Sequence, residues 1–159
     1  MADTPSGVQV AEVLAEQLGE IGIDVDVRPL SATSFYATDV GDPGSVAANG
    51  YGLVLATWTA DFPTPGSFLA PLVDSRSIRA VSNTNYARLS DPAVDALVDA
   101  ARASGDAAAW REVAGAVEPM AVYVPLAETR VQLLAGQRLR NGVVMQPYSG
   151  YDVATAGVR

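Results

Sequence analysis

The sequence predicts an α/β fold, one sheet with helices on its faces. Three observations predict it. An amphipathic helix over 8–21 runs directly into an alternating strand over 23–28. A continuous apolar run spans 53–58, and two capped helices follow one another between 91 and 120. At 159 residues, 49% of them hydrophobic and 18% charged, the chain is one ordinary domain, 1–159, long enough to close a core without disulfides or metals.

In the first helix Val10, Val13, Leu14, Leu18 and Ile21 recur at spacings of three and four, the period of one helical face. Ser6 with Gln9 reads as a capping box, and Gly22 as a left-handed stop. Ile23-Asp24-Val25-Asp26-Val27-Arg28 then alternates strictly, as a half-buried strand does, and Pro29 limits it. A short helical stretch is expected over 34–40. Gly41-Asp42-Pro43-Gly44-Ser45 reads as a loop. Leu53-Val54-Leu55-Ala56-Thr57-Trp58 does not alternate, which predicts a central strand covered on both faces. Two prolines stiffen the loop after it, and one or two helical turns are expected over 67–73. Residues 74–89 lack periodicity and read as surface loop.

Asp91-Pro92 starts the next helix, with Val94, Leu97, Val98 and Ala101 facing inward. Ser104-Gly105 ends it. Asp106 caps a second helix whose inner face carries Trp110, Val113, Val117 and Met120. Together they form a helical hairpin. Val122–Leu126 reads as an edge strand interrupted by Pro125, and the remainder as short strands and turns, with a turn at Asn141-Gly142.

Composition narrows the chemistry. Cysteine and histidine are absent, and all ten basic residues are Arg. Thiolate nucleophiles, the usual general base, the usual zinc ligands, Schiff bases and P-loop lysines are therefore excluded. No cofactor is implied. The net charge of −8 argues against nucleic acid and anionic membranes as partners. Met1-Ala2-Asp3-Thr4-Pro5 does not read as a secretion signal. Asp24 and Asp26 read as a solvated strand face, and Asp91, Asp95 and Asp99 as an exposed acidic stripe, mildly destabilising through like-charge contact. Neither set has the spacing of a metal site.

Asp61 is the residue of most interest. It follows an apolar strand within a rigid loop, and ligands of open α/β sheets collect beyond the carboxyl ends of strands. Asp is also a default turn residue, so the alternative is a loop Asp capping Ser67 or a nearby N–H. Trp58 reads equally as a pocket wall or a core anchor. Tyr36, Tyr86, Tyr148 and Tyr151 are cleft-facing candidates whose commoner role is packing, and Trp110 reads as core.

Several segments resemble, in order, the extracellular solute-binding proteins of family 5, the oligopeptide, dipeptide and nickel receptors of bacterial ABC importers. Val10–Val25 resembles their helix followed by a GI-x-V strand. Tyr51–Pro63 resembles their strand, Trp and Ala-Asp-aromatic segment, and Asn85–Asp95 their N-Y-x-x-L-x-D-P helix start. Val124-Pro125-Leu126 and Tyr151-Asp152 are similar to their later strand and closing segment. The lysine-free, Ala- and Arg-rich composition suits a GC-rich actinobacterial source.

The resemblance implies a type II periplasmic-binding-protein fold, of which this chain would be the C-terminal lobe portion. It implies a secreted lipoprotein parent whose signal and anchor are absent here. It further implies that Asp61 accepts a peptide's α-ammonium group, with Trp58, Thr59, Ala60 and Phe62 around it, Thr59 and Ala60 through backbone. The expected partners are a peptide or other small solute and, through the full-length parent, ABC permease subunits. A lobe without its neighbour is expected to self-associate through exposed edges. The alternative function is a receptor-like regulatory protein with an idle cleft. A hydrolase using paired carboxylates has no recognisable arrangement of two acids.

Overall fold

The computed structural model describes residues 1–145 and 150–159. Tyr148, one of the cleft candidates, lies outside the described residues. Helix α1 spans Pro5–Glu20, α2 Pro43–Asn49, α3 Pro65–Val73, α4 Pro92–Ser104 and α5 Ala107–Val117. Short turns of π-helix at Phe35–Asp39 and of 3₁₀-helix at Ser75–Ser77 and Glu118–Met120 lie between them. Among the described residues four two-residue strands follow: β1 (Leu139–Arg140), β2 (Val144–Met145), β3 (Gly150–Tyr151) and β4 (Gly157–Val158). They form two antiparallel ladders, β1 with β4 and β2 with β3. Asn141, in the left-handed region at φ 52, makes the expected turn. The fold is α/β, with helices and small sheets.

Helix ends follow their sequence signals. Pro occupies the first turn of α1, α2, α3 and α4, where its missing N–H costs nothing. Thr4, not Ser6, caps α1, accepting from the Gly7 N–H at 3.2 Å. Gly22 stops it at φ 83, with the Gly22 N–H on the Gly19 carbonyl (3.0 Å) and the Ile23 N–H on that of Leu18 (2.9 Å), a Schellman closure. Asp42-Pro43 opens α2 where a loop was expected: Asp42 accepts from the Gly44 N–H at 2.7 Å.

The core lies between α3, α4 and α5. Ala70, Leu72, Val73, Val94, Val98, Ala101, Trp110, Val113 and Val117 pack as one buried cluster. The hairpin of α4 and α5 is as the periodicity predicts, except that Met120 lies beyond α5 and is exposed.

Three expected strands do not form, because a strand is stable only beside another. Residues 23–28 carry no ladder; a single parallel bridge joins Ala2 to Leu30, with α1 as its crossover. Residues 53–58 run without a strand partner, and Leu53 is 73% exposed rather than covered. Only Trp58 of this run reaches the core cluster. Its neighbour Thr57 is held by a side chain: the Tyr36 hydroxyl accepts from the Thr57 N–H at 3.0 Å. Residues 122–126 likewise form no strand, with Val124 and Leu126 exposed. Helix α1 has no buried residue, so its apolar stripe remains open.

Residues 74–89 are the clearest departure from expectation. They are not a surface loop but a polar clasp over the core. Asp74, Asn83 and Asn85 are buried, Asp74 at 1% exposure. The Asp74 carboxylate accepts from Arg76 Nε (2.7 Å), the Arg76 N–H (2.9 Å) and Arg102 Nη1 (2.7 Å). Asn85 donates to the carbonyls of Asp74 (3.2 Å) and Leu89 (2.9 Å) and accepts from the Leu89 N–H (2.9 Å). The Tyr123 hydroxyl donates to the Leu72 carbonyl at 2.8 Å and accepts from the Ala87 N–H at 3.3 Å. The supposed acidic stripe of α4 is consumed here. Asp91 caps the helix, Asp95 accepts from the Ser75 N–H (2.9 Å) and hydroxyl, and Asp99 pairs with Arg76 (2.7 Å).

Burial alone would raise the Asp74 carboxyl. The hydrogen bonds from the Arg76 side chain and backbone, and then the Arg102 guanidinium, outweigh it and hold the group below its ordinary value. Asp74→Ala removes a buried acceptor and leaves the Arg76 N–H without its partner. It should lower unfolding free energy by about 2 kcal/mol, read as an earlier urea midpoint; an unchanged midpoint contradicts the clasp. Within the clasp, the Tyr86 ring lies 6.1 Å from that of Tyr36 and 6.4 Å from that of Trp58. Burial, and then its Tyr36 and Tyr123 neighbours, push its phenol from 10.0 up to about 12. A raised folded value favours the neutral form, so its contribution to stability is complete below the unfolded value and is lost as pH rises through the folded one. Urea midpoints should therefore fall between pH 10.0 and about 12 in the wild type, and fall less across that window in Tyr86→Phe. Equal slopes in the two proteins contradict the assignment.

Candidate functional site

The site is built from the loop after Trp58. Ser67, in the first turn of α3, reaches back to fix it. Its Oγ accepts from the Phe62 N–H at 3.3 Å and lies 2.6 Å from the Phe62 carbonyl oxygen, to which it donates. The Thr64 N–H closes on the same carbonyl at 2.7 Å. Pro63 and Pro65 restrict the two φ angles between. A hydroxyl and two prolines thus hold Asp61 and Phe62 at the rim, both exposed.

Beside this loop lies an open groove of ≈ 680 Å³. Trp58, Asp61, Phe62, Arg79, Arg102 and Trp110 supply its aromatic and charged lining. Its floor is tightly closed at Gly66, where a Cβ would come within 2.5 Å of Trp110 Cζ2 and 2.8 Å of Cε2. Any side chain at Gly66 would displace the indole and so reshape both core and cavity.

The structure brings together three of the five predicted site residues: Trp58, Asp61 and Phe62 line the cavity. Thr59 and Ala60 do not contribute to its lining. Asp61 does not cap Ser67, whose hydroxyl is engaged by the Phe62 backbone. Among the described residues Asp61 has no ion-pair partner. Trp58 is both wall and anchor. It lines the cavity, packs against the core cluster, and meets Tyr86 edge to face at 74°. Its Nε1 is buried and has no hydrogen-bond partner among the described residues. Tyr36 and Tyr86 form the aromatic row behind Trp58 and are not part of the lining, while Tyr151 belongs to β3.

Sequence reasoning missed Arg79 and Arg102. Neither belongs to a motif, and Arg79 falls in a stretch without periodicity. Arg102 is committed to Asp74 at 2.7 Å. Among the described residues no three His, Cys, Asp or Glu side chains group closely enough to hold a metal ion, and no helix is long and apolar enough to cross a membrane. The arrangement can recognise charge: a carboxylate and guanidinium groups around an open, partly aromatic cavity bind ligands through ion pairs and hydrogen bonds.

Comparison with known proteins agrees with this architecture. The family model for "Bacterial extracellular solute-binding proteins, family 5 Middle" matches residues 1–80, half of the chain. No curated protein matches. Among solved structures, the "Clavulanic acid biosynthesis oligopeptide binding protein 2" superposes with a TM-score of 0.90 at 34% sequence identity. The match covers 94% of this chain and 28% of that protein, so the chain spans less than a third of its relative's length.

Proposed function

As the chain belongs to the bacterial extracellular solute-binding proteins of family 5, we propose that it is the C-terminal lobe portion of a peptide receptor, folding as one unit over 1–159. In this reading the parent is a secreted, membrane-anchored lipoprotein. It closes two lobes around a peptide by hinge motion and delivers it to the permease of an ABC importer. The lobe performs no chemistry on its ligand.

The observation that carries this reading is Asp61. Its carboxylate has no ion-pair partner among the described residues and stands at the rim of the groove, on a loop fixed by Ser67. A carboxylate carried on a loop braced in this way suits a peptide's α-ammonium group, since the backbone beside it is set before the ligand arrives. Trp58 and Phe62 would contact the first side chains, and the backbone at Thr59 and Ala60 would run beside the peptide's own. The name of the structural relative, an oligopeptide-binding protein, supports the same ligand class. The open stripe of α1 and the uncovered run at 53–58 fit surfaces that the rest of the receptor would cover. In isolation they favour self-association.

Asp61→Asn should weaken peptide binding to the two-lobed receptor about tenfold to a thousandfold, because it strands a desolvated ammonium group. An N-acetylated peptide, lacking that charge, should bind poorly and lose far less on the substitution. Isothermal calorimetry reads both. Equal affinity for free and acetylated peptide, or an Asp61→Asn variant that binds as wild type, contradicts the proposal.

A further inference from the structure

The sequence holds four asparagines, and two of them precede glycine, at Asn49-Gly50 and Asn141-Gly142. Such a pair carries its own reaction. The glycine nitrogen can attack the asparagine Cγ, because no side chain on the glycine shields that nitrogen. Asn83 and Asn85 precede Thr84 and Tyr86 and are buried, so the same attack is obstructed there. Both Asn-Gly pairs are exposed. What separates them is how their reacting groups are held.

Asn49 is the last residue of α2. Its Nδ2 donates to the Ser45 carbonyl at 2.9 Å and lies 3.4 Å from the Ser45 Oγ. The Gly50 N–H donates to the Ala47 carbonyl at 3.3 Å. Each bond must break before the nitrogen can reach Cγ: a bonded carboxamide does not turn freely, and a bonded N–H gives up its proton less readily. Asn141 lacks these restraints. Among the described residues neither its carboxamide nor the Gly142 N–H has a hydrogen-bond partner. The pair joins β1 to β2, and each of these strands is held by one two-residue ladder. Ladders of two strands are marginal on their own, so the turn opens by local fluctuation.

We propose that Asn141 is a site of spontaneous deamidation, and that α2 protects Asn49 from the same reaction. The Gly142 nitrogen forms a bond to Asn141 Cγ. The Cγ–Nδ2 bond breaks, and ammonia leaves with the proton that the Gly142 nitrogen loses. Water then opens the cyclic imide at either carbonyl. Breaking the bond from nitrogen to Cγ gives aspartate. Breaking the bond from nitrogen to the main-chain carbonyl carbon gives isoaspartate, in which the chain runs through Cβ and Cγ. Water is the sole co-reactant. The two products act differently on the fold. Asn141 sits at φ 52, a region aspartate also tolerates, so the aspartate form keeps the turn. The isoaspartate form puts an extra methylene into the chain between β1 and β2. It also turns the Asn141 carbonyl, which accepts from the Val143 N–H at 2.8 Å, into part of a carboxylate outside the main chain.

The test ages the folded 159-residue chain in mildly alkaline buffer and maps it by mass spectrometry. Cleavage after arginine places the two asparagines in different peptides. The Asn141 peptide should gain the mass that separates –OH from –NH₂, and split into aspartate and isoaspartate forms. It should do so about tenfold faster than the Asn49 peptide, the protection expected from a bonded helix end. In urea, with α2 unfolded, the two rates should converge. Asn141→Gly, which suits a positive φ, should abolish the mass gain in its peptide and leave Asn49 unchanged. Equal rates at the two asparagines in the folded chain, faster conversion at Asn49, a rate difference that persists in urea, or a mass gain that survives Asn141→Gly would each overturn the inference.

Discussion

A buried carboxylate must be satisfied or the fold loses more than it gains, and the structure around Asp74 is organised by that demand. Its oxygens need donors from two directions. Arg76 supplies them from its own turn, and Arg102 reaches in from α4. Meeting the demand locks the end of α3, the 3₁₀ turn and the face of α4 into one arrangement. Asn85 and Tyr123 extend the lock, binding the carbonyls of Asp74 and Leu72 that the end of α3 leaves open. Apolar packing among α3, α4 and α5 supplies the non-directional attraction. The clasp supplies direction, fixing which residues face the cavity.

The cavity inherits its geometry from this arrangement. Arg102 is both a clasp residue and a wall, so its charge is spent before any ligand arrives. Arg79 lies within the clasp segment, lines the cavity and has no ion-pair partner among the described residues. On the other side, Ser67 at the start of α3 positions the Asp61 loop, and α3 carries that constraint to Asp74 at its far end. One short helix thus connects a rim carboxylate to a buried one. Gly66 lets Trp110 approach the same helix closely enough to seal the floor.

What was legible in the sequence was what depends on neighbours three or four residues away. The capped starts at Asp91 and Asp106, the stop at Gly22 and the inner faces of α4 and α5 are local facts, and local patterns carry them. Strands depend on partners distant in sequence. The alternation at 23–28 and the apolar run at 53–58 encode a tendency to pair, but within this chain the first forms no ladder, the one bridge at Ala2–Leu30 lying just beyond it, and the second meets a tyrosine hydroxyl. Burial of 74–89 was hidden for a different reason. Its buried residues are Asp and Asn, which read as loop unless their partners are known, and those partners lie on α3, on α4 and at Tyr123. The site divided in the same way. Asp61 and Trp58 sit in a recognisable local segment, whereas Arg79 becomes part of the cavity only through the path the clasp imposes on the chain.

The central claim is that the polar clasp over 74–89 is as firmly held as the helical core, and that the run at 53–56 is not. Native-state hydrogen exchange measures this residue by residue. The amides of Ser75, Arg76 and Leu89, each bonded to a carboxylate or amide oxygen of the clasp, should exchange as slowly as those in the middle of α4 and α5. The amides of Leu53 to Ala56, which carry no such bond among the described residues, should exchange far faster. Exchange at Ser75, Arg76 and Leu89 as fast as at Leu53 to Ala56 would contradict the account.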